Sequence, residues 1–255
     1  MNEKQKRRLK EMDSMLEEKV YMPIKELSEK LNISEMTVRR DFDIISQSKN
    51  LYMVNGVIFR NLQKAEEYKV PMAEVKKAAE KEAIAKLAVS LIREGDVIAL
   101  DVGTTTEQVA KFIPKGMDIT VICYSFNILC RLRTNGISKI VFGGGTFHEN
   151  SQTFESKEAV RLIQKHRVNK AFISAAGVSE SLGITCMNEY EVPLKQAVIQ
   201  SSLKKILVID SSKYQQVKPA YFADADIFDY VITDKELSKE AENYYKSCNI
   251  NVLKA

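Results

Sequence analysis

Histidine and cysteine are scarce in this chain: two histidines and four cysteines among 255 residues. Cys123, Cys130, Cys186 and Cys248 stand far apart, with no Cys-x-x-Cys and no Cys/His cluster. A zinc site or a disulfide framework is therefore not expected, and the thiols read as buried and reduced. His148 and His166 lack the spacing of a metal site or a catalytic triad and read as surface or loop residues. No cofactor, no metal and no catalytic residue is expected. No apolar run approaches the roughly 20 residues needed to span a membrane, and Met1-Asn2-Glu3-Lys4 does not open a signal peptide. These absences predict a cytoplasmic protein with no membrane partner. Internal repeats and low-complexity tracts are also missing. Neither sign of charge dominates: 38 basic against 34 acidic residues leave a net charge of +4.

What is present is ordinary soluble material, 45% hydrophobic and 28% charged, enough for a sizeable core. The length suits one small and one medium domain. The most informative stretch lies near the N-terminus. Leu9, Met12 and Leu16 recur at helical spacing. Pro23 can open a second helix, where its missing N–H costs nothing; Ile24, Leu27 and Leu31 line one face of it. Asn32-Ile33-Ser34 then breaks the pattern. Asn tolerates the left-handed conformation at a helix end, and Ser34 can cap the next helix. In that third helix Val38, Phe42 and Ile45 share one face. Met36, Arg40, Asp43 and Gln47 fall opposite, with Thr37 and Arg39 on the flanks. Two helices joined by a short turn, the second with a basic outer face, fit major-groove docking.

Leu51-Tyr52-Met53-Val54-Asn55-Gly56-Val57-Ile58-Phe59-Arg60 follows. Asn-Gly between two β-prone runs is the strongest short hairpin signal, and a hairpin directly after a recognition helix is a wing. Charge leaves an ordinary three-helix bundle with a surface hairpin open as well. Residues 1–60 hold 12 basic and 10 acidic residues, a weak footprint for a nucleic-acid binder.

Composition shifts after residue 60. Residues 61–81 are rich in Lys, Glu and Ala, with Pro71 among them. The expected division is a winged helix-turn-helix domain over 1–60, a linker that becomes helical over 61–80, and an α/β domain over 81–255. Ile84, Leu87, Ala88, Leu91 and Ile92 make a helical stripe that ends at Glu94-Gly95.

Short β-rich runs then alternate with helical segments, predicting a mostly parallel sheet covered on both faces. Val97-Ile98-Ala99-Leu100 ends in Asp101. Ile119-Thr120-Val121-Ile122 leads to Ser125 and Asn127, and Lys139-Ile140-Val141-Phe142 ends in Gly143-Gly144-Gly145. Ala171-Phe172-Ile173 runs to Ser174, Ile206-Leu207-Val208-Ile209 to Asp210 and Lys213, and Tyr230-Val231-Ile232 to Thr233-Asp234. Open α/β sheets bind ligands beyond the carboxyl ends of their strands. Asp101, Ser125, Gly143, Gly144 and Asp210 are thus expected along one polar edge. Gly103 permits a tight turn into a helix whose first amides, with the Thr104 and Thr105 hydroxyls, suit a phosphate or carboxylate. Thr104 as a simple helix cap explains the same residues. Glu191 and Lys195, at i and i+4 around Pro193, read by themselves as an ion pair on a helix surface.

Pro23-Ile24-Lys25-Glu26-Leu27-Ser28-Glu29-Lys30-Leu31-Asn32-Ile33-Ser34 with Thr37-Val38-Arg39-Arg40-Asp41 closely resembles the N-terminal signature of DeoR-family transcription regulators. Asp101-Val102-Gly103-Thr104-Thr105, Gly144-Gly145-Thr146, Gly183-Ile184-Thr185, Glu191-Val192-Pro193-Leu194-Lys195 and Asp210-Ser211-Ser212-Lys213 follow in the order seen in that family's sensor domains. The resemblance implies a C-terminal sensor related to the sugar-phosphate isomerase and glucosamine-6-phosphate deaminase fold. It implies that Gly103, Thr104, Thr105 and Lys213 hold a phosphate, and that Asp101, Asn127, Glu191 and Lys195 face the sugar or order the pocket. Met53 and Asn55-Gly56-Val57 replace the family's usual Arg and His-Gly-Gly in the wing. Phe147-His148, Ser156 and Asn169 replace an Arg, a Gly and an Asp.

The expected function is a DNA-binding regulator, a repressor controlled by a phosphorylated sugar or similar anionic metabolite. Its partners would be double-stranded operator DNA and a second copy, as a homodimer or homotetramer. Ser34, Met36, Thr37, Arg39, Arg40 and Asn55 are the expected DNA-facing residues. The alternative is a sugar-phosphate isomerase or deaminase that carries a DNA-binding domain.

Overall fold

A computed structural model describes residues 3–18, 21–46, 51–54, 56–60 and 77–255. Asn55, Gln47 and residues 61–76 of the expected linker lie outside the described residues. The chain divides into two compact units, Met1–Glu67 and Tyr68–Ala255.

In the first unit, α1 (Glu3–Glu18), α2 (Ile24–Leu31) and α3 (Glu35–Ser46) enclose a small core. Met12, Leu16, Ile24, Leu27, Val38, Phe42 and Ile45 fill it, following the sequence periodicity. Asn32 ends α2 in the left-handed conformation, φ 51° and ψ 50°. Pro23 sits one residue earlier than expected. It caps α2 and closes a short strand, β1 (Tyr21–Pro23), that the sequence did not reveal. β1 pairs antiparallel with β3 (Val57–Arg60), which pairs with β2 (Leu51–Val54). The wing hairpin is therefore the outer part of a three-stranded sheet in the order β1-β3-β2. Proline is tolerated at the end of such an edge strand because no further ladder bond needs its N–H.

The second unit is built on seven parallel strands: β4 (Val97–Leu100), β5 (Thr120–Cys123), β6 (Lys139–Phe142), β9 (Val168–Ile173), β12 (Ser202–Val208), β14 (Tyr230–Thr233) and β15 (Asn251–Lys254). Their order is β15-β14-β12-β9-β4-β5-β6. α4 (Ala78–Val89), α5 (Thr104–Phe112) and α6 (Phe126–Thr134) cover one face, through Ile84, Val109 and Ile128. α7 (Lys157–Gln164), α8 (Val192–Ser201) and α9 (Lys239–Ser247) cover the other, through Ile163, Val198 and Tyr245. Burial on both faces explains why these strands read as continuous apolar runs. Asn169 accepts the Val97 N–H at 2.8 Å, stitching β9 to β4. This job needs only a side-chain oxygen, which the Asp usual in the family would also supply.

Two smaller sheets were not visible in the sequence. β7 (Thr146–His148) and β8 (Thr153–Glu155) form a hairpin arm. β10 (Gly177–Ser179), β11 (Gly183–Cys186) and β13 (Ala220–Ala223) form an antiparallel sheet beyond β9.

The strand order reverses between β4 and β9. From β4 the chain winds outward through β5 and β6; from β9 it winds the other way through β12, β14 and β15. Loops that leave two adjacent strands in opposite directions open a crevice at their carboxyl ends. Here that crevice lies between Asp101 and Ser174.

Candidate functional site

Gly103 sets the geometry of the crevice. Its φ is +150°, and a β-carbon there would stand 2.4 Å from Ser174 Oγ. Only glycine lets the turn after β4 pass this close to the end of β9. The chain then enters α5 at once, and no side chain caps its N-terminus. The amides of the first turn have no intrahelical acceptor, and with the helix dipole they favour an anion. Thr106 donates its hydroxyl to Gly103 O at 2.8 Å, so the capping role considered for Thr104 is not seen.

A cavity of about 100 Å³ opens at this helix start, lined by Gly103, Thr104, Thr105, Glu191 and Lys213, together with Lys81. Ser174 and Cys186 complete parts of its wall. Lys213 is carried by a short 3-10 turn, Ser211–Lys213, after β12. The Asp210 carboxylate caps that turn through the Ser212 N–H at 3.1 Å and stands 3.7 Å from the Lys213 ammonium. Asp210 thus shapes the loop that presents Lys213.

Asp101 and Lys195 lie beneath the cavity, fully buried. One Asp101 oxygen accepts the Tyr124 hydroxyl. The other accepts the Ser174 N–H at 3.0 Å and the Lys195 ammonium at 2.5 Å. Lys195 also donates to Ser174 O at 3.1 Å and stands 3.9 Å from a Glu191 oxygen. Glu191 and Lys195 are therefore not the surface pair expected from i, i+4 spacing. Burial pushes the Lys195 amine down, but Asp101 and Glu191 outweigh it, so the group is held above its ordinary value and stays charged. For Glu191 burial wins: its carboxyl is raised despite Lys195 and the Asn188 amide. Burial likewise pushes the Cys186 thiol up to about 12, which leaves it an unreactive wall residue.

Several expected site residues stand elsewhere. Ser125 donates to Asn127, whose amide donates to Glu107 at 2.5 Å; Arg131 reaches the other Glu107 oxygen at 3.0 Å. This network joins α5 to α6 one strand away from the crevice. Gly143 packs against Ala159, and Gly144 borders a separate shallow hollow with Arg161 and Lys165. The glycine run serves the arm: Gly145 has φ +137°, and a β-carbon there would meet Glu155 O at 2.2 Å. Ser156 accepts the Ala159 N–H at 3.0 Å as the cap of α7 and donates to Gly144 O at 2.7 Å. His148, expected on a loop or the surface, stacks on Tyr190 at 3.6 Å within β7. Cys130 is exposed rather than buried; all four cysteines are free.

Lys81 was missed, although its signal was present. It stands three residues before Ile84, on the buried stripe of α4. Ser174 and Cys186 reach the cavity through strand order, which local sequence does not encode.

In the first unit, α3 buries Val38, Phe42 and Ile45 and leaves Met36, Arg39 and Arg40 exposed. Ser34 caps the helix through the Thr37 N–H at 3.2 Å, and the two hydroxyls bond each other at 2.9 Å. These two residues thereby set the entry of the helix. Arg39 leans on the wing, its guanidinium 3.6 Å from Met53 Sδ. Asp41 is buried and receives Arg8 from α1 at 2.5 and 3.0 Å. That clamp fixes α3 against α1.

A family model described as "DeoR C terminal sensor domain" matches residues 76–235, and one described as "DeoR-like helix-turn-helix domain" matches residues 8–59. The deoxyribose operon repressor of Escherichia coli strain K12 is 29% identical over 99% of this chain and 100% of its own length. An HTH-type transcriptional regulator of the same organism, YgbI, is 32% identical over 94% of each chain. The lactose phosphotransferase system repressor of Staphylococcus epidermidis is 32% identical over 93% of this chain and 96% of its own. Among solved structures, ribose 5-phosphate isomerase A of Methanocaldococcus jannaschii shares 18% identity over 55% of each chain, with a TM-score of 0.41. Matches to both units, in order and over nearly the whole length, place this chain in the DeoR family of transcriptional regulators.

Proposed function

We propose that this chain is a repressor of a sugar-metabolism operon, released from its operator by a phosphorylated sugar or a related anionic metabolite. The observation that carries the effector reading is the convergence of an uncapped helix start with Lys213 and Lys81 on one small cavity. Backbone amides, threonine hydroxyls and ammonium groups are the donors that suit a phosphate. A sugar attached to it would extend past Glu191. Asp101 is wholly engaged with Tyr124, Ser174 and Lys195, which suits a floor that orders the cavity. In the DNA-binding unit, the exposed face of α3 enters the major groove, with Arg40 on a base edge or phosphate and Arg39 beside the wing. A symmetric dimer or tetramer would match paired half-sites.

The test is binding of the purified protein to DNA upstream of its own operon, at fixed salt, with and without a panel of phosphosugars. Specific binding relieved by one of them supports the reading. Specific binding that none alters removes the phosphosugar effector. Turnover of a phosphosugar, lost in Asp101→Asn, would favour the isomerase or deaminase alternative.

A further inference from the structure

Ring contacts run in a line across one end of the sensor sheet. Phe142, in the edge strand β6, meets Phe154 of β8 with ring centroids 5.3 Å apart. Phe154 meets Phe147 of β7 at 5.0 Å, and Phe147 meets Phe126, the first residue of α6, at 6.1 Å. The last two rings are open to solvent: Phe147 is 42% exposed and Phe126 45%. Two neighbouring aromatic rings shown to water stabilise nothing in the chain that carries them. A contiguous apolar patch with a polar rim marks an interaction surface. None of these rings lines the cavity at Gly103.

The patch is held in place from behind. The Phe154 N–H donates to Tyr124 O and the Phe126 N–H to Gln152 O, both at 2.8 Å, which roots the arm on the segment after β5. Side chains alternate along a strand, so His148 lies on the opposite side of β7 from Phe147. There it stacks on Tyr190 at 3.6 Å. The Tyr190 hydroxyl donates to Asn150 Oδ1 at 3.0 Å and bonds Ser151 Oγ at 2.8 Å. One side of the arm is thus packed on its own chain, and the other presents Phe147. Rings fixed before docking lose little further freedom when a partner arrives.

Charge selects the occupant. Residues 143–165, which make the glycine run, the arm and α7, hold three acidic and three basic residues. The surroundings of the rings therefore carry no net sign, whereas DNA, an anionic membrane or a strongly charged protein would call for one sign. A two-fold interface sets a patch against itself, and each contact is made twice. A rim of one sign would then repel its own copy, while an apolar centre with balanced charges around it does not. A recess of about 540 Å³ adjoins the base of the arm, lined by Gly144, Gly145 and Leu162 with the exposed Glu158 and Arg161. The face thus offers a depression as well as projecting rings. We propose that a second copy of this chain docks on this face, the arms of the two copies meeting about a two-fold axis with Phe126 and Phe147 at the centre of the contact. This rests on the paired half-site reading above and names the surface that pairs the copies.

The experiment is sedimentation equilibrium of the full chain over a range of concentrations, without DNA. The native chain should be a dimer or a larger even assembly. Phe147→Asp and Phe126→Asp should each weaken association at least about thirtyfold, the factor for an aromatic at the centre of an interface, and so halve the mass at concentrations where the native chain is assembled. Phe147→Leu, which keeps an apolar side chain, should lose far less. Leu203→Asp changes an equally exposed apolar residue at the start of β12 and should associate like the native chain. Each variant is compared after its cooperative unfolding has been verified, and the two Phe positions serve as independent tests if one does not fold. Native association that neither Phe variant weakens would overturn this face and leave the dimer standing. Equal weakening by Leu203→Asp would overturn it too, since the effect would then belong to any added charge. A native chain that stays monomeric at every concentration would overturn the dimer and this face with it, and would leave the rings to the first unit of the same chain.

Discussion

Single atoms decide the chemistry at the crevice. Gly103 has no tolerable replacement: even a methyl group would lie 2.4 Å from Ser174 Oγ, in a backbone conformation L-residues avoid. Gly103→Ala should destabilise the sensor unit by about 1–3 kcal/mol and abolish phosphate protection of residues 104–106; thermal unfolding and hydrogen exchange would show both. Glu191 is a carboxyl whose burial raises it above its ordinary 4.5 in the folded chain. The folded state then holds the proton more tightly than the unfolded one. Glu191's contribution to stability is complete below about pH 4.5 and declines as pH rises through the raised value. Glu191→Gln, which keeps a neutral group in place, should match the native chain in urea unfolding near pH 4. It should become the more stable of the two toward neutral pH; a constant difference across that range would contradict the raised value.

Elements are held to one another by a few buried polar ties, and these were the least legible part of the sequence. The helical stripes of α1, α2 and α3 were readable because their apolar spacing is local. The Arg8–Asp41 clamp was not, because its partners lie 33 positions apart. Arg8→Met would strip the buried Asp41 carboxylate of its guanidinium and leave it the longer contact from the Gln5 amide, 3.4 Å away. It should lower the stability of the DNA-binding unit by about 1–3 kcal/mol. Differential unfolding of the two units should show the loss in the first and leave the sensor transition unmoved, since separate units need not melt together. Strand β1 is not legible in the sequence for a related reason: three residues ending in proline carry no alternation of their own and become a strand only through β3. The β10-β11-β13 sheet depends in the same way on pairing between distant segments.

At the scale of the whole chain, DNA binding and effector response should separate by mutation. Arg40 is exposed on α3, in the same unit as the core it does not enter. Arg40→Ala should weaken operator binding and reduce its salt slope by about one if the contact is to phosphate, with the melting temperature of the unit unchanged. A variant destabilised by several kcal/mol would instead make Arg40 structural. Lys213→Ala should leave operator affinity intact and blunt release by the phosphorylated effector; unchanged release would remove Lys213 from the site.

The sequence alone determined the helices and hairpin of the first unit and the order along the chain of the strands β4, β5, β6, β9, β12 and β14 in the second. Apolar periodicity, the Asn32 helix end, the Ser34 cap and the glycine turns are short-range features, written in neighbouring residues. They located the recognition helix and the ends of the parallel strands. They also placed Gly103, Thr104, Thr105 and Lys213 at strand ends, where a ligand could reach them. Tertiary structure decided which strand ends meet. The reversal between β4 and β9 brought Ser174 against Gly103, moved Ser125, Asn127, Gly143 and Gly144 away from the cavity, and turned an apparent surface pair into the buried Asp101–Lys195–Glu191 group. Strand order is fixed by long-range packing of two apolar faces, and no local pattern specifies it.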